Sequence, residues 1–374
     1  MKLRTIASII AIIMLVAMVA ACGPAAAPET GEGAGAGAGA GTGAGAGAGG
    51  EAGGDQIRIG FAQKTVDSPY FVALVDAVER YAAELGWVVT TLTADDDIQT
   101  ESENMDALIA MNKDLIFLNS VDPIAAIAVI GRAYDAGIRV INLDSGVDDA
   151  ARHITTVYSN NLQNGRLVGL AYAEYRGDEP ILAVILSGMR GNIGGQQRRT
   201  GLFAGIIEGR LGISEAEALV LAEQFNNDLT NLGRAENAEA NFIVAGQGWG
   251  GWTVESGLEA AEDLITANPT LTTVLGENDQ MLFGAMTALD NAGITGVNIV
   301  AAADGALRAY DYIREGRYFA TGENSPFLVG RLGVEVARQV LVDGVDPDTI
   351  PRTTHTDAIA VTIYNVDERY QFGF

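Results

Sequence analysis

A chain of 374 residues has room for two domains, and its 48 acidic against 23 basic side chains set a formal charge of −25. So acidic a chain, with no basic patch, is excluded as a nucleic-acid binder and is poorly matched to a strongly anionic ligand. The single cysteine excludes internal disulfides, and 2 histidines are too few for an ordinary zinc site.

At the amino terminus Lys2 and Arg4 precede an apolar run, residues 9–20, which ends in Val19-Ala20-Ala21-Cys22. A positive start, a short apolar stretch and small residues at a cleavage point make residues 1–21 a signal peptide. The run falls short of the roughly 20 apolar residues a spanning helix needs. A lone cysteine directly after small residues resembles the lipobox of bacterial lipoproteins, which makes Cys22 the expected lipidation site. Residues 22–55 are dominated by Gly and Ala, cannot bury a core, and read as a flexible tether.

From Gln56 onward short apolar runs alternate with helical spacings. Strands are expected at 57–61, 87–92, 115–118 and 140–143, and helices at 71–85 and 101–111, with Asp122-Pro123 opening a third. The pattern restarts after Val157-Tyr158. A helix at 165–175, a strand at 181–186, a loop at 187–197, a helix at 198–208 and a strand near 218–222 follow. A long segment, 223–251, precedes a helix at 254–267. Three further strand-helix steps then run from 271 to 327. This alternation predicts an α/β protein with two doubly wound parallel-sheet domains, whose ligands bind outside the carboxyl ends of the strands.

The last three strand ends deliver Asn278, Asp304 and Asn324. Amides and a carboxylate without a neighbouring histidine or thiol suit hydrogen bonding to a neutral polyhydroxyl better than catalysis. Taken singly, each could equally cap a helix or form a turn. In the first half, Lys64 and the run Asp67-Ser68-Pro69-Tyr70-Phe71 follow the first strand, where flat rings can cover the C–H face of a sugar. Asp144 ends the fourth strand and can accept from vicinal hydroxyls. Gln196-Gln197-Arg198-Arg199 enters a helix against the macrodipole, a placement that wants a reason. Gly246-Gln247-Gly248-Trp249-Gly250-Gly251 matches a dinucleotide-binding pattern. Trp249, however, stands where the backbone would have to approach a pyrophosphate, so a loop presenting Trp249 and Trp252 to a cleft is the better account. No P-loop and no nucleophile-base set is visible, and no enzyme activity, cofactor or metal is expected.

These residues together resemble the ribose- and galactose-type periplasmic sugar-binding proteins. The carriers are Ile59-Gly60-Phe61 with Asp67–Phe71, Ser120-Val121-Asp122-Pro123, residues 140–144, Arg199 four before Phe203, residues 277–281, Ala303-Asp304-Gly305 and residues 320–324. The likeness covers about 56–361. It implies a type I periplasmic binding protein fold with a three-crossover hinge near Tyr158-Ser159, Asn324-Ser325 and Thr354-His355. One lobe would then hold 56–158 plus 325–354, and the other 159–324 plus 355–374. The resemblance implies aromatic stacking by Tyr70, Phe71 and Trp252. It implies hydrogen bonds from Asp144, Arg199, Asn278, Asp304 and Asn324, with Ser68 where ribose binders carry Asn. Lys64 resembles the lysine of the arabinose-binding protein. Ser145 stands where ribose binders have Arg, Asn324 is more galactose-like, and no calcium loop is visible, so the sugar stays open. The implied protein is a monomeric, lipid-anchored, extracytoplasmic receptor that closes on a monosaccharide or polyol and hands it to an ABC importer permease. Two alternatives stand beside it: a receptor for a nucleoside or autoinducer-like ligand, and an exported NAD-dependent dehydrogenase.

Overall fold

The computed structural model describes residues 56–374. The signal peptide, Cys22 and the Gly-Ala tether lie outside the described residues. In chain order the elements are β1 (Arg58–Gln63), α1 (Pro69–Glu84), β2 (Val88–Thr93), α2 (Ile98–Ala110), β3 (Leu115–Asn119), α3 (Ala125–Asp135), β4 (Arg139–Leu143) and β5 (Thr156–Ser159). There follow α4 (Asn161–Arg176), β6 (Ile181–Ser187), α5 (Ile193–Leu211), α6 (Glu215–Leu232), β7 (Ala235–Asn237), β8 (Phe242–Trp249), α7 (Val254–Ala267), β9 (Thr273–Gly276) and α8 (Asp279–Ala292). The chain ends with β10 (Asn298–Asp304), α9 (Leu307–Arg314), β11 (Ala320–Glu323), α10 (Pro326–Leu341), β12 (Thr353–Thr356) and β13 (Ala360–Thr362), then a helical turn, Val366–Arg369.

A 6-stranded sheet of order β12-β5-β4-β3-β1-β2 and a 7-stranded sheet of order β13-β11-β10-β9-β6-β8-β7 divide these strands into two lobes. Every pairing of the first sheet is parallel. The second is parallel except where β13 and β7 pair at its edges. The chain passes from the first sheet to the second after β5, returns after β11, and passes back after β12. β12 runs to Thr356, and this last passage follows it.

Strands covered on both faces need apolar side chains on both, which is why they read as continuous runs. Ile59 and Phe61 of β1 enter one core of the first lobe with Leu115 and Phe117, while Ala62 enters the other with Ile116 and Leu118. Each such fully buried large side chain contributes about 2 kcal/mol. In the second lobe α4 and α5 pack almost backbone to backbone. A Cβ on Gly165 or Gly169 would collide with α5, and one on Gly201 or Gly205 with α4. That close crossing fixes the start of α5, where the arginine pair sits.

Two expectations fail in the second lobe. The run 218–222 is no strand but the middle of α6. Ser214 and Glu217 form a capping box, and Ala218, Ala222, Phe225 and Leu229 recur at helical spacing on its buried face. The supposed loop 187–197 already contains the first turn of α5. The long segment 223–251 resolves into the end of α6 and the β7–β8 hairpin. The glycine pattern that mimics a dinucleotide loop lies largely in strand β8, where a Cβ on Gly246 or Gly248 would press on Leu264 or Ala260 of α7. Those glycines serve strand–helix packing. Among the described residues no helix is long and apolar enough to cross a membrane.

Candidate functional site

The first βα turn of the first lobe builds one wall. Ser68 caps α1 by accepting from the Phe71 amide at 3.4 Å, and Pro69 occupies the first helical turn. That geometry aims Tyr70 across the carboxyl ends of the strands. Its hydroxyl donates to Asp144 Oδ1 at 2.7 Å and lies 3.3 Å from Asn324 Oδ1. A phenol has one proton, so the shorter contact is the bond and the longer its weaker arm. Asp144 follows β4 in a left-handed backbone conformation, φ 60°, which turns its carboxylate toward Tyr70. Burial pushes the Asp144 pKa above the usual carboxylate range, while the Tyr70 hydrogen bond and the charge of Arg198 pull it back. Burial, then the Asp144 charge, holds the Tyr70 phenol well above its ordinary value. Phe71 meets the Tyr70 ring edge-on at 5.5 Å, and Lys64 Nζ stands 5.1 Å from the Phe71 centroid.

The second lobe supplies the opposite wall. Arg198 donates from Nη1 to Asp304 Oδ1 at 2.7 Å and from Nε to Asn161 Oδ1 at 2.9 Å. Its guanidinium lies 5.8 Å from the Trp252 ring. Trp252 packs where Gly188 and Gly195 lack side chains, since a Cβ at either would strike the indole. Asn324, on the crossover after β11, donates to the same Asp304 oxygen at 3.5 Å. Asp144, Tyr70, Asn324, Asp304 and Arg198 thus form one polar chain running from the first lobe to the second. Among the described residues Asp144 Oδ2, Asp304 Oδ2 and Arg198 Nη2 have no hydrogen-bond partner.

The arginine facing Asp304 is therefore Arg198, and Arg199 points the other way. Arg199 is 4% exposed, forms an ion pair with Glu277, and donates to Asn226 Oδ1 at 2.6 Å and Ser187 Oγ at 3.1 Å. Glu277 in turn accepts from the Gly188 amide at 2.8 Å, so the pair braces the loop under Trp252. Asn278 caps α8: its carbonyl accepts from the Met281 amide at 3.1 Å and its amide donates to the Trp252 carbonyl at 3.3 Å. The structure thus places Lys64, Tyr70, Phe71, Asp144, Trp252, Asp304 and Asn324 around one region, with Ser68, Asn278 and Arg199 holding its frame. Trp249 ends β8 beneath Arg190, whose guanidinium is 4.5 Å from the indole ring.

Two further groups support the site. Asp279, fully buried, accepts from the Gly305 and Ala306 amides at 2.9 Å each and from Tyr318 at 2.8 Å, fixing the turn that carries Asp304. Phe374 meets the Tyr70 ring edge-on at 5.4 Å. Among the described residues there is no cluster of His, Cys, Asp and Glu that could hold a metal ion.

Residues 59–344 match the family model described as a periplasmic binding protein domain. The ribose import binding protein of Salmonella typhimurium is 27% identical over 285 residues, covering 76% of this chain and 84% of the relative. The D-allose-binding periplasmic protein of Escherichia coli is 24% identical over 309 residues, 80% of this chain and 90% of the relative. Among solved structures, an ABC transporter solute-binding protein from Mycobacterium smegmatis with bound glycerol is 26% identical. It covers 84% of this chain and 96% of its own, with a TM-score of 0.67. A solute-binding protein from Actinobacillus succinogenes 130z with bound D-allose shares the fold at 23% identity and a TM-score of 0.68, covering 84% of this chain and all of its own.

Proposed function

Since the chain belongs to the periplasmic binding protein family, we propose that it captures a monosaccharide or related polyol between its lobes and delivers it to an ABC importer. The polar chain from Asp144 through Tyr70, Asn324 and Asp304 to Arg198 carries this reading. It brings two carboxylates, one guanidinium and the Lys64 ammonium to one place, a balanced set that asks for a neutral ligand. Free carboxylate oxygens accept from hydroxyls, and the free guanidinium nitrogen donates to one. Tyr70, Phe71 and Trp252 supply faces for the C–H side of a ring. Ribose- and allose-binding relatives support a pentose or hexose.

The protein works outside the cytoplasm, tethered through a lipid on Cys22, and its partner is a membrane permease. Lobe closure by hinge motion about the three crossovers signals occupancy to that permease. A thermal-shift panel of D-ribose, D-allose, L-arabinose, myo-inositol and adenosine tests the reading. Ligand at about a hundred times its dissociation constant adds roughly 2.7 kcal/mol to stability. The account expects a melting shift with a sugar or polyol that Asp304→Ala abolishes. A shift with adenosine alone would transfer the site to the nucleoside reading.

A further inference from the structure

We infer that Phe374 is a positioning residue for Tyr70 and an interlobe latch whose release sets how long the ligand stays. The inference rests on the ligand site proposed above, and it assigns a role to a segment that site does not include. Tyr70 makes two perpendicular ring contacts: Phe71 at 5.5 Å with the planes at 90°, and Phe374 at 5.4 Å with the planes at 88°. Phe71 belongs to the same helix as Tyr70. Phe374 belongs to the other lobe, where it packs on the core under α8 and α9.

The segment that carries Phe374 is fastened to the second lobe along its length. Arg369 donates from Nε to Glu323 at 2.9 Å and makes a second ion-pair contact with the same carboxylate. Arg314 reaches Asp367 at 2.7 Å. The Leu307 amide donates to a main-chain oxygen of Phe374 at 2.9 Å. Gly373 fits against Leu307 and the Tyr310 ring, where a Cβ would stand 2.8–3.0 Å from both. These ties and the packing of Phe374 on the second-lobe core set its backbone where its ring meets Tyr70.

Glu323, the anchor of this segment, is also the residue before Asn324, the other second-lobe group that reaches Tyr70. Tyr70 is thus held from the second lobe at two points, by an amide oxygen at its hydroxyl and by a perpendicular ring. Opening the lobes must break both contacts. The ring contact needs no ligand, so it biases the free protein toward closure and lowers the ordering that binding must supply. An aromatic edge contact of this kind corresponds to about a three- to tenfold effect on an equilibrium.

Two readouts on the mature protein test the latch. The first is the lobe-to-lobe distance without ligand, from spin labels at Ile98→Cys and Ile193→Cys, exposed positions on opposite lobes, in a Cys22→Ser background. Phe374→Ala is expected to broaden the distribution toward longer distances, and Phe374→Tyr, which keeps the ring, to restore it. The second is dissociation of D-ribose or D-allose by stopped flow, expected to be about three- to tenfold faster in Phe374→Ala with association unchanged. A purely structural role would lower the melting temperature and leave both readouts alone. Superimposable distance distributions for wild type and Phe374→Ala would overturn the latch. Wild type that binds neither sugar would overturn the ligand reading while the distances still decide on Phe374.

Discussion

Arg198 and Arg199 are neighbours in sequence, yet the structure gives them different work, and replacing each by Met separates the two. Met keeps most of the aliphatic stem and removes only the guanidinium. Arg199 and Glu277 have side chains only 5% and 1% exposed, so Arg199→Met leaves a buried carboxylate without its partner. Breaking a buried pair from one side costs about 3–5 kcal/mol. In a body of this size, at roughly 2 °C per kcal/mol, the melting temperature should fall by roughly 6–10 °C. The folded fraction should still bind its sugar, since Arg199 itself does not face the cleft. Arg198 and Asp304 are each 12% exposed and lie at the site itself. Arg198→Met removes a charge-assisted donor worth about 1.5–3 kcal/mol, so affinity should drop about 10- to 100-fold with a much smaller melting shift. Melting curves and calorimetric titrations on both variants decide the matter. If Arg199→Met weakens binding without loss of stability, or Arg198→Met unfolds the protein while the folded remainder binds normally, the division of roles is refuted.

Other consequences follow from single groups. Tyr70→Phe keeps the ring and loses the hydroxyl, so sugar affinity should fall about tenfold. Because that hydroxyl also holds the Asp144 pKa down, Asp144 should titrate at higher pH in the variant, visible by carboxylate NMR. Glu101, 2% exposed, accepts from the Val121 amide at 2.6 Å, and burial raises its pKa from 4.5 to about 7. The folded state therefore holds that proton more tightly than the unfolded chain. The stability it lends is full below pH 4.5 and disappears as the pH rises through about 7. Glu101→Gln should thus be more stable than wild type at pH 8 by roughly 3 kcal/mol and should flatten the melting profile between those values, as denaturant titrations would show. Arg369→Met strands Glu323, whose side chain is fully buried, and should cost about 3–5 kcal/mol together with some affinity, because Asn324 and Phe374 share that anchor.

Much of this architecture is legible in the sequence because parallel strands covered on both faces cannot hide: 115–118, 140–143 and 298–303 are apolar runs that break into polar turns. Tyr70 is legible for the same local reason, a Ser-Pro start that fixes where the helix begins. The run 218–222 misleads because Leu219, Val220 and Leu221 look like a strand, whereas its buried positions, Ala218 and Ala222, are small and four apart. The arginine pair is visible, but which member faces the cleft depends on helix phase. The close glycine crossing of α4 on α5 sets that phase, and no local pattern reveals it. Asn278 shows the limit from the other side, since a strand-end amide reads alike whether it meets a ligand or the Met281 amide. Phe374 leaves no local signal at all: its partner Tyr70 lies some three hundred residues away, and only the folded crossovers bring the two rings together.

The central claim is that a neutral sugar is held between the lobes by the polar chain from Asp144 to Arg198. Isothermal titration of the mature protein with D-ribose, D-allose, myo-inositol, adenosine and NAD tests it most directly. The account predicts one site per chain for a sugar or polyol, a negative heat-capacity change as the lobes bury surface, and loss of the heat in Asp304→Ala. Saturable binding of NAD or adenosine with no response to any sugar or polyol would contradict it.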